Sequence, residues 1–303
     1  MSGFLGSGKS TLLSHLIEYE KQQGRRIGIL MNELGEVSID SSFVPENTPV
    51  QEMLNGCICC SIQGELSSKL YQLLENYELD AIYIEATGAA HPMDVLDGCT
   101  HLSIIAGVKV KAIITVVDAK LWHNRSEMKP RLNKLIEEQA KYADVVVLNK
   151  IDTVVEDDFE QTSVSIREFN PGGLLLPVTN AAIDPLLVLS TKHNQSIFTE
   201  HTESHVDRHL HLRTFTQQLF RPLDRIVFEK WLKTLPGRVF RGKGFVQLNE
   251  APGVFMFQYA YGEPMFTRCS LNKSYQPVIV LIGDELDHER IREQLLELQY
   301  IVH

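Results

Sequence analysis

The chain has 303 residues, 44% hydrophobic and 22% charged, with a formal net charge of −10. That is ordinary globular composition with room for one large domain or two smaller ones, and the acidic balance argues against nonspecific binding to nucleic acid or anionic lipid. No apolar run reaches the ~20 residues of a membrane span and no basic-then-apolar leader opens the chain, so a cytoplasmic protein with neither membrane nor nucleic-acid partners is expected.

Residues Gly3-Phe4-Leu5-Gly6-Ser7-Gly8-Lys9-Ser10 carry the phosphate-binding loop pattern. Its glycines let backbone N–H groups turn inward onto phosphate oxygens, Lys9 reaches the β- and γ-phosphates, and the Ser10 hydroxyl ligates Mg²⁺. Gly6, Ser7, Gly8, Lys9, Ser10 and Thr11 are the candidate phosphate-binding residues. From Ser10 to Lys21, Leu12, Leu13, Leu16 and Ile17 recur at helical spacing, which sets a positive helix end against the anion. Such a loop follows a buried strand, yet almost nothing precedes Gly3. The first strand is expected either to lie upstream of Met1 or to be missing from the sheet.

Arg26 to Met31 reads as a short strand ending in the polar loop Asn32 to Asp40. Val50 to Leu54 is a second strand candidate, running into Asn55-Gly56-Cys57-Ile58-Cys59-Cys60. A helix is expected from Gln63 to Asn76, with Leu66, Leu70, Leu73 and Leu74 on one face. Strands follow over Ala81 to Ile84, Val108 to Val117, Asp144 to Leu148 and Leu174 to Val178, with a helix over Lys134 to Tyr142. They end at Glu85-Ala86-Thr87-Gly88, Asp118, Asn149-Lys150-Ile151-Asp152 and Thr179-Asn180. Strands alternating with helices, with polar residues at their carboxyl ends, predict an α/β fold: a parallel sheet covered on both faces.

Near Ser190 the periodicity stops, and His193, His201, His205, His209 and His211 sit in a polar stretch. Beyond it come a strand over 210–219, a helix from Asp224 to Leu235, strands over Val239 to Leu248, Val254 to Tyr261 and Val278 to Ile282, and a helix from His288 to Leu298. The expected organisation is a P-loop domain over 1–190, a histidine-rich linker over 191–210 and a small α+β domain over 211–303.

Three clusters carry chemistry. Asn149-Lys150-Ile151-Asp152 is a guanine-reading pattern: the Asp152 carboxylate accepts the N1–H and exocyclic amine that adenine lacks as a pair, selecting GTP over ATP. Glu85 suits a place near Mg²⁺ and the γ-phosphate, with the Gly88 N–H able to approach that phosphate. Lys9 and Glu85 are the candidate catalytic residues. Cys57, Cys59 and Cys60 offer three soft ligands to one Zn²⁺ and leave a fourth position open, as befits a metal that is passed on; a redox or buried thiol cluster is the alternative. The linker histidines relay metal or are simply solvated, and basic Arg238 to Phe245 touches a phosphate or a partner or is a charged strand edge.

Together, Gly3 to Ser10, Asn32-Glu33 with Gly35-Glu36-Val37, Gly56 to Cys60, Glu85 to Gly88 and Asn149 to Asp152 resemble the CobW-type (CobW/HypB/UreG superfamily) GTPase metallochaperones, zinc-regulated GTPase activators among them. Arg241-x-Lys243-Gly244 and Ile282-Gly283 resemble that family's C-terminal domain. The resemblance implies a GTP hydrolase coupled to zinc or cobalt handling, Cys57, Cys59 and Cys60 as the internal metal site, and Glu36 and Asp40 in a switch near the metal and Mg²⁺. The expected ligands are GTP, Mg²⁺ and Zn²⁺, with Co²⁺ second on thiolate softness. The expected partner is a client metalloprotein, with a second copy of the chain as a further candidate. Two other functions stay open: a metal buffer or store with vestigial nucleotide binding, and a cobalt-handling accessory factor for cobalamin or nitrile hydratase metallation.

Overall fold

The computed structural model describes residues 1–31, 48–52, 61–101, 104, 107–191, 193, 212–260, 262–269 and 276–300. The chain divides into two compact units, Met1–His209 and Leu210–His303. The first contains α1 (Lys9–Gln22), β1 (Ile27–Met31), β2 (Val50–Glu52), α2 (Ser61–Asn76), β3 (Ala81–Glu85), α3 (Pro92–Cys99), β4 (Ile114–Asp118), α4 (Ala119–His123), α5 (Pro130–Lys141), β5 (Val145–Asn149), α6 (Glu156–Phe169), β6 (Leu174–Pro177) and α7 (Pro185–Ser190).

Its strands pair in parallel as two triplets, β2-β1-β3 and β4-β5-β6. Both layers of helices bury apolar side chains, which is why β1 and β5 are buried throughout. On one face, Leu12, Leu13, Leu16 and Ile17 of α1 and Val188 of α7 pack on Ile29, Tyr83, Val116 and Val147. On the other, Leu66, Leu70 and Leu73 of α2 meet Leu30 with Ile82 and Ile84, while Trp122, Ile136 and Ile166 cover Val146 and Leu148.

Among the described residues, Met1 and Ser2 hydrogen-bond to both triplets. The Met1 amine donates to the Ile84 carbonyl (2.6 Å) and the Ala86 N–H to the Met1 carbonyl (2.9 Å). On the opposite side, Ser2 N–H donates to the Ile114 carbonyl (2.8 Å) and Val116 N–H to the Ser2 carbonyl (3.0 Å). The expected strand over Val108 to Val117 is seen as Ile114–Asp118; just before it the Ile113 carbonyl accepts from the Asp144 and Val145 N–H groups and the Lys111 carbonyl from the His193 N–H. The expected strand to Leu54 is seen as Val50–Glu52, its last two residues falling outside the described ones.

The second unit contains β7 (Leu212–Gln218), α8 (Arg225–Lys233), β8 (Arg238–Leu248), β9 (Ala251–Ala260), β10 (Glu263–Arg268), β11 (Val278–Asp284) and α9 (His288–Leu298). Its antiparallel sheet runs β10-β9-β8-β11-β7. Phe228 and Trp231 of α8 and Ile291 and Leu295 of α9 form one core with Phe215, Val246, Phe257, Ile279 and Leu281. Asp224 and Asp287 cap the two helices through the N–H groups of Val227 (2.8 Å) and Arg290 (3.1 Å).

Candidate nucleotide-binding site

The glycine loop leads from the sheet into α1, whose N-cap Gly8 has φ 109° and no side-chain cap. The first N–H groups of the helix are thus left for an anion. A side chain at Gly8 would meet the Asn149 amide, and one at Gly88 would come 2.7 Å from the Leu5 nitrogen. Both close approaches are ones that only glycine allows, and the second brings the Glu85-to-Gly88 segment against the loop.

Lys9 is 8% exposed, and its ammonium donates to the Phe4 carbonyl (3.2 Å). Burial lowers its pKa, with the nearby Glu85 carboxylate opposing the shift. The Ser10 hydroxyl donates to Glu85 Oε1 (2.8 Å), while Glu85 Oε2 is buried without a hydrogen-bond partner, as is Ser7 Oγ. An orphaned carboxylate oxygen beside a hydroxyl is a hard-oxygen pair, and it fits Mg²⁺.

Asn149 is 2% exposed and ties the site together: its Nδ2 donates to the Ser7 carbonyl (2.8 Å) and its Oδ1 accepts from Ala181 N–H (2.8 Å). A carboxamide has two hydrogens and two main lone pairs, so each end keeps one for a ligand. Lys150 is left-handed (φ 59°), with its ammonium on Asp118 Oδ2 (2.9 Å), and Asp152 is exposed in the following turn. Asp118 Oδ1 also caps α4 through Leu121 N–H (3.0 Å).

Three further residues, Gln139, His91 and Ala181, hold segments around the site. Gln139, 1% exposed, donates from Nε2 to the Gly88 (3.1 Å) and Ala90 (3.0 Å) carbonyls, holding the segment that lies against the phosphate loop. His91 caps α3 through Met93 N–H and bonds Glu138 Oε2 (3.1 Å). Ala181 follows Asn180, both left-handed (φ 52° and 53°), and its carbonyl bonds His15 Nδ1 (2.9 Å). Asp118 and Asn180 were legible as polar residues at strand ends; Gln139 and Ala181 left no signal, because contacts far along the chain make them matter.

Cys57, Cys59, Cys60, Glu36, Asp40 and the histidines from His201 to His211 lie outside the described residues. Their loops nevertheless start at known points. Met31, where β1 ends, is in register with Glu52 of β2 on one side and Glu85 of β3 on the other. Met31 and Glu52 therefore end their strands at the same sheet edge as Glu85. Among the described residues, no three His, Cys, Asp or Glu cluster as a metal site, and no helix is long and apolar enough to cross a membrane.

Residues 1–176 match the family described as CobW/HypB/UreG, nucleotide-binding domain. The chain belongs to the CobW/HypB/UreG family. Its residues 212–299 match the family described as cobalamin synthesis protein cobW C-terminal domain. Among relatives, zinc chaperone YjiA of Escherichia coli K12 is 28% identical over 313 residues, covering 96% of this chain and 95% of that protein. Zinc-regulated GTPase metalloprotein activator 1 of Dictyostelium discoideum is 27% identical over 302 residues, covering 83% of this chain and 63% of that protein. The solved structure of Zn(II)-bound YjiA GTPase from E. coli shares the fold, with a TM-score of 0.51 at 23% identity over 98% of this chain and 96% of that one.

Proposed function

We propose that this CobW/HypB/UreG member is a GTP-hydrolysing zinc chaperone. In this function GTP binding and hydrolysis drive zinc, held by Cys57, Cys59 and Cys60, toward a client metalloprotein. One observation carries the reading: Met31 and Glu52, from which the sequence runs on to Glu36, Asp40 and the three cysteines, end their strands beside Glu85, which meets Ser10. Nucleotide and metal thus act on neighbouring segments of one edge.

The triphosphate lies at the N-terminus of α1, on the inward N–H groups of Gly6 to Thr11. Lys9 exchanges its Phe4 carbonyl for β- and γ-phosphate oxygens and neutralises charge that builds during cleavage. Ser10 and Glu85 would hold Mg²⁺, which supplies Lewis-acid polarisation of the phosphates. Gly88, steadied by Gln139, presents its N–H to the γ-phosphate. When that phosphate leaves, the 85–90 segment and the adjacent loops lose a shared anchor, and zinc is released. Asp152 reads guanine, Asn149 adds its spare amide valences, and the Lys150 stem, fixed by Asp118, covers the base. Thiolate ligation favours zinc over cobalt.

Asp152→Asn tests the nucleotide half. It swaps an acceptor for a donor, so GTP affinity should fall by about 10- to 100-fold, as two charge-assisted hydrogen bonds are lost, and xanthosine triphosphate affinity should rise. Equal GTP affinity in the variant, read with a fluorescent analogue, would refute guanine reading at this turn.

A further inference from the structure

A closed circuit of hydrogen bonds runs from the glycine loop through Asn149 and back to α1. Asn149 Nδ2 donates to the Ser7 carbonyl (2.8 Å), and Asn149 Oδ1 accepts from the Ala181 N–H (2.8 Å). His15 Nδ1 bonds the Ala181 carbonyl in turn (2.9 Å). A carbonyl has no hydrogen to give, so Nδ1 carries a proton of His15 and donates. His15 lies on α1, and Ser7 and Gly8 lead into that same helix, so the circuit returns to its start. It is made of two side chains and one peptide unit, and it links the second turn of α1 to the loop at its head.

The peptide unit in the circuit is strained. Asn180 and Ala181 are both left-handed, with φ 53° and 52°, and neither is glycine. An L side chain in that conformation crowds the following carbonyl, so such a pair persists only where its surroundings hold it. Ala182 N–H closes the turn on the Thr179 carbonyl (3.1 Å), and Asn149 and His15 hold the two ends of Ala181. Ala181 is buried in one core with Leu12 and Leu16 of α1, and a side chain at Gly8 would come 3.9 Å from its Cβ. The turn after β6 is thus seated on α1, and His15 is the side chain of α1 that bonds it.

Asn149 needs both of its partners in place. Each end of its amide keeps one valence for a ligand, and the direction of those valences is set by where Ser7 and Ala181 stand. Ser7 belongs to the loop at the head of α1, and His15 ties Ala181 to the same helix. We propose that His15 is a positioning residue for guanine recognition. By holding the Ala181 carbonyl it keeps the 179–182 turn in its left-handed form, fixes the direction of the Asn149 amide and sets the base site against the phosphate loop. The inference rests on the reading of Asn149 to Asp152 as the guanine site. His15 acts through Ala181 and Asn149 and not on the phosphates, so its loss weakens every guanine nucleotide alike and spares binding that depends on the phosphates alone.

The test uses His15→Leu, which fills the space without a donor, and His15→Asn, whose side-chain nitrogen falls where Nδ1 stands. Exchange of the Ala181 amide is followed first, in the chain without nucleotide or metal. His15→Leu should speed it by about tenfold or more, and His15→Asn should restore it. Affinities for GTP, GDP and ATP are then measured with Mg²⁺ present. His15→Leu should lower GTP and GDP affinity by one common factor of about ten, as for one lost hydrogen bond, and leave the weaker ATP affinity unchanged. His15→Asn should recover the guanine nucleotides. Unchanged Ala181 exchange in His15→Leu would overturn the circuit. GTP and ATP affinities that fall together, or a GTP loss that His15→Asn does not recover, would make His15 a packing residue and overturn its positioning role. A parent chain that binds ATP as tightly as GTP would refute the guanine reading itself, and the positioning role with it, whatever the exchange shows.

Discussion

The two ends of the seam between β3 and β4 differ sharply. At the carboxyl end, Met1 and Ser2 tie both triplets, Asn149 fixes the phosphate loop and Glu85 grips Ser10. At the amino end the two strands bond other neighbours: the Asp80 N–H, just before β3, donates to the Arg26 carbonyl (2.7 Å), and the Ile113 carbonyl, just before β4, accepts from the Val145 N–H (3.1 Å). Met1 and Ser2 hold β3 and β4 beside the nucleotide site. Ligand chemistry and fold stability are therefore separable along one seam, and perturbations can be aimed at either end.

The largest effect belongs at the carboxyl end. Lys9→Ala should lower GTP turnover by about 10²- to 10³-fold, the usual cost of removing one electrostatic stabiliser of a transition state. It should leave Tm nearly unchanged, since the Phe4 carbonyl loses only one long bond. A large Tm loss with intact turnover would invert the comparison.

In a chain that begins at Met1, the Met1 tie itself should answer to pH. The Met1 amine has a folded pKa of about 6 against 8.0 for the free group, chiefly from burial, opposed by Cys99 and Glu85 and aided by Lys9. The folded state therefore binds fewer protons between these values. Stability is fully present above pH 8 and falls as pH drops to 6, by at most about 2 to 3 kcal/mol. Denaturant midpoints at pH 6 and 8 measure this; an N-acetylated chain should show none of the Met1 contribution.

A smaller effect sharpens the boundary between the ends. Gln139→Met keeps volume but leaves the Gly88 and Ala90 carbonyls without their donor. The cost is about 1 to 3 kcal/mol of buried hydrogen bonding. Turnover should fall about tenfold with GDP affinity unchanged, because in the proposed function the Gly88 N–H serves the γ-phosphate, which GDP lacks. Equal losses for GTP and GDP would make Gln139 a general packing residue.

Much of the carboxyl end was legible in the sequence, because spacing encodes its geometry: Gly3 to Ser10 and Asn149 to Asp152 fall where their strands and helix require. Leu12, Leu13, Leu16 and Ile17 gave α1 for the same reason. The start of the strand at Ile114 instead of Val108 was not legible, since ladder pairing depends on a partner and apolar alternation carries no knowledge of one. Helix α6 escaped notice because only Thr162 and Ile166 of its residues are buried, too few for an apolar stripe. The left-handed pair Asn180 and Ala181 has no glycine to signal it, and Gln139 becomes important only when α5 meets the segment after β3.

The most direct test is reciprocal binding of zinc and nucleotide. Zinc affinity is measured by competition with a chelating dye in the presence of GDP and then of a non-hydrolysable GTP analogue, and the affinity of each nucleotide is measured with and without zinc. A change in zinc affinity between the two nucleotide states of about 5- to 150-fold is expected, mirrored by the same factor in the GTP-to-GDP affinity ratio and abolished in the Cys57→Ala/Cys59→Ala/Cys60→Ala variant. Equal zinc affinity in both nucleotide states, or coupling that survives loss of the three thiols, would contradict a GTP-driven zinc chaperone.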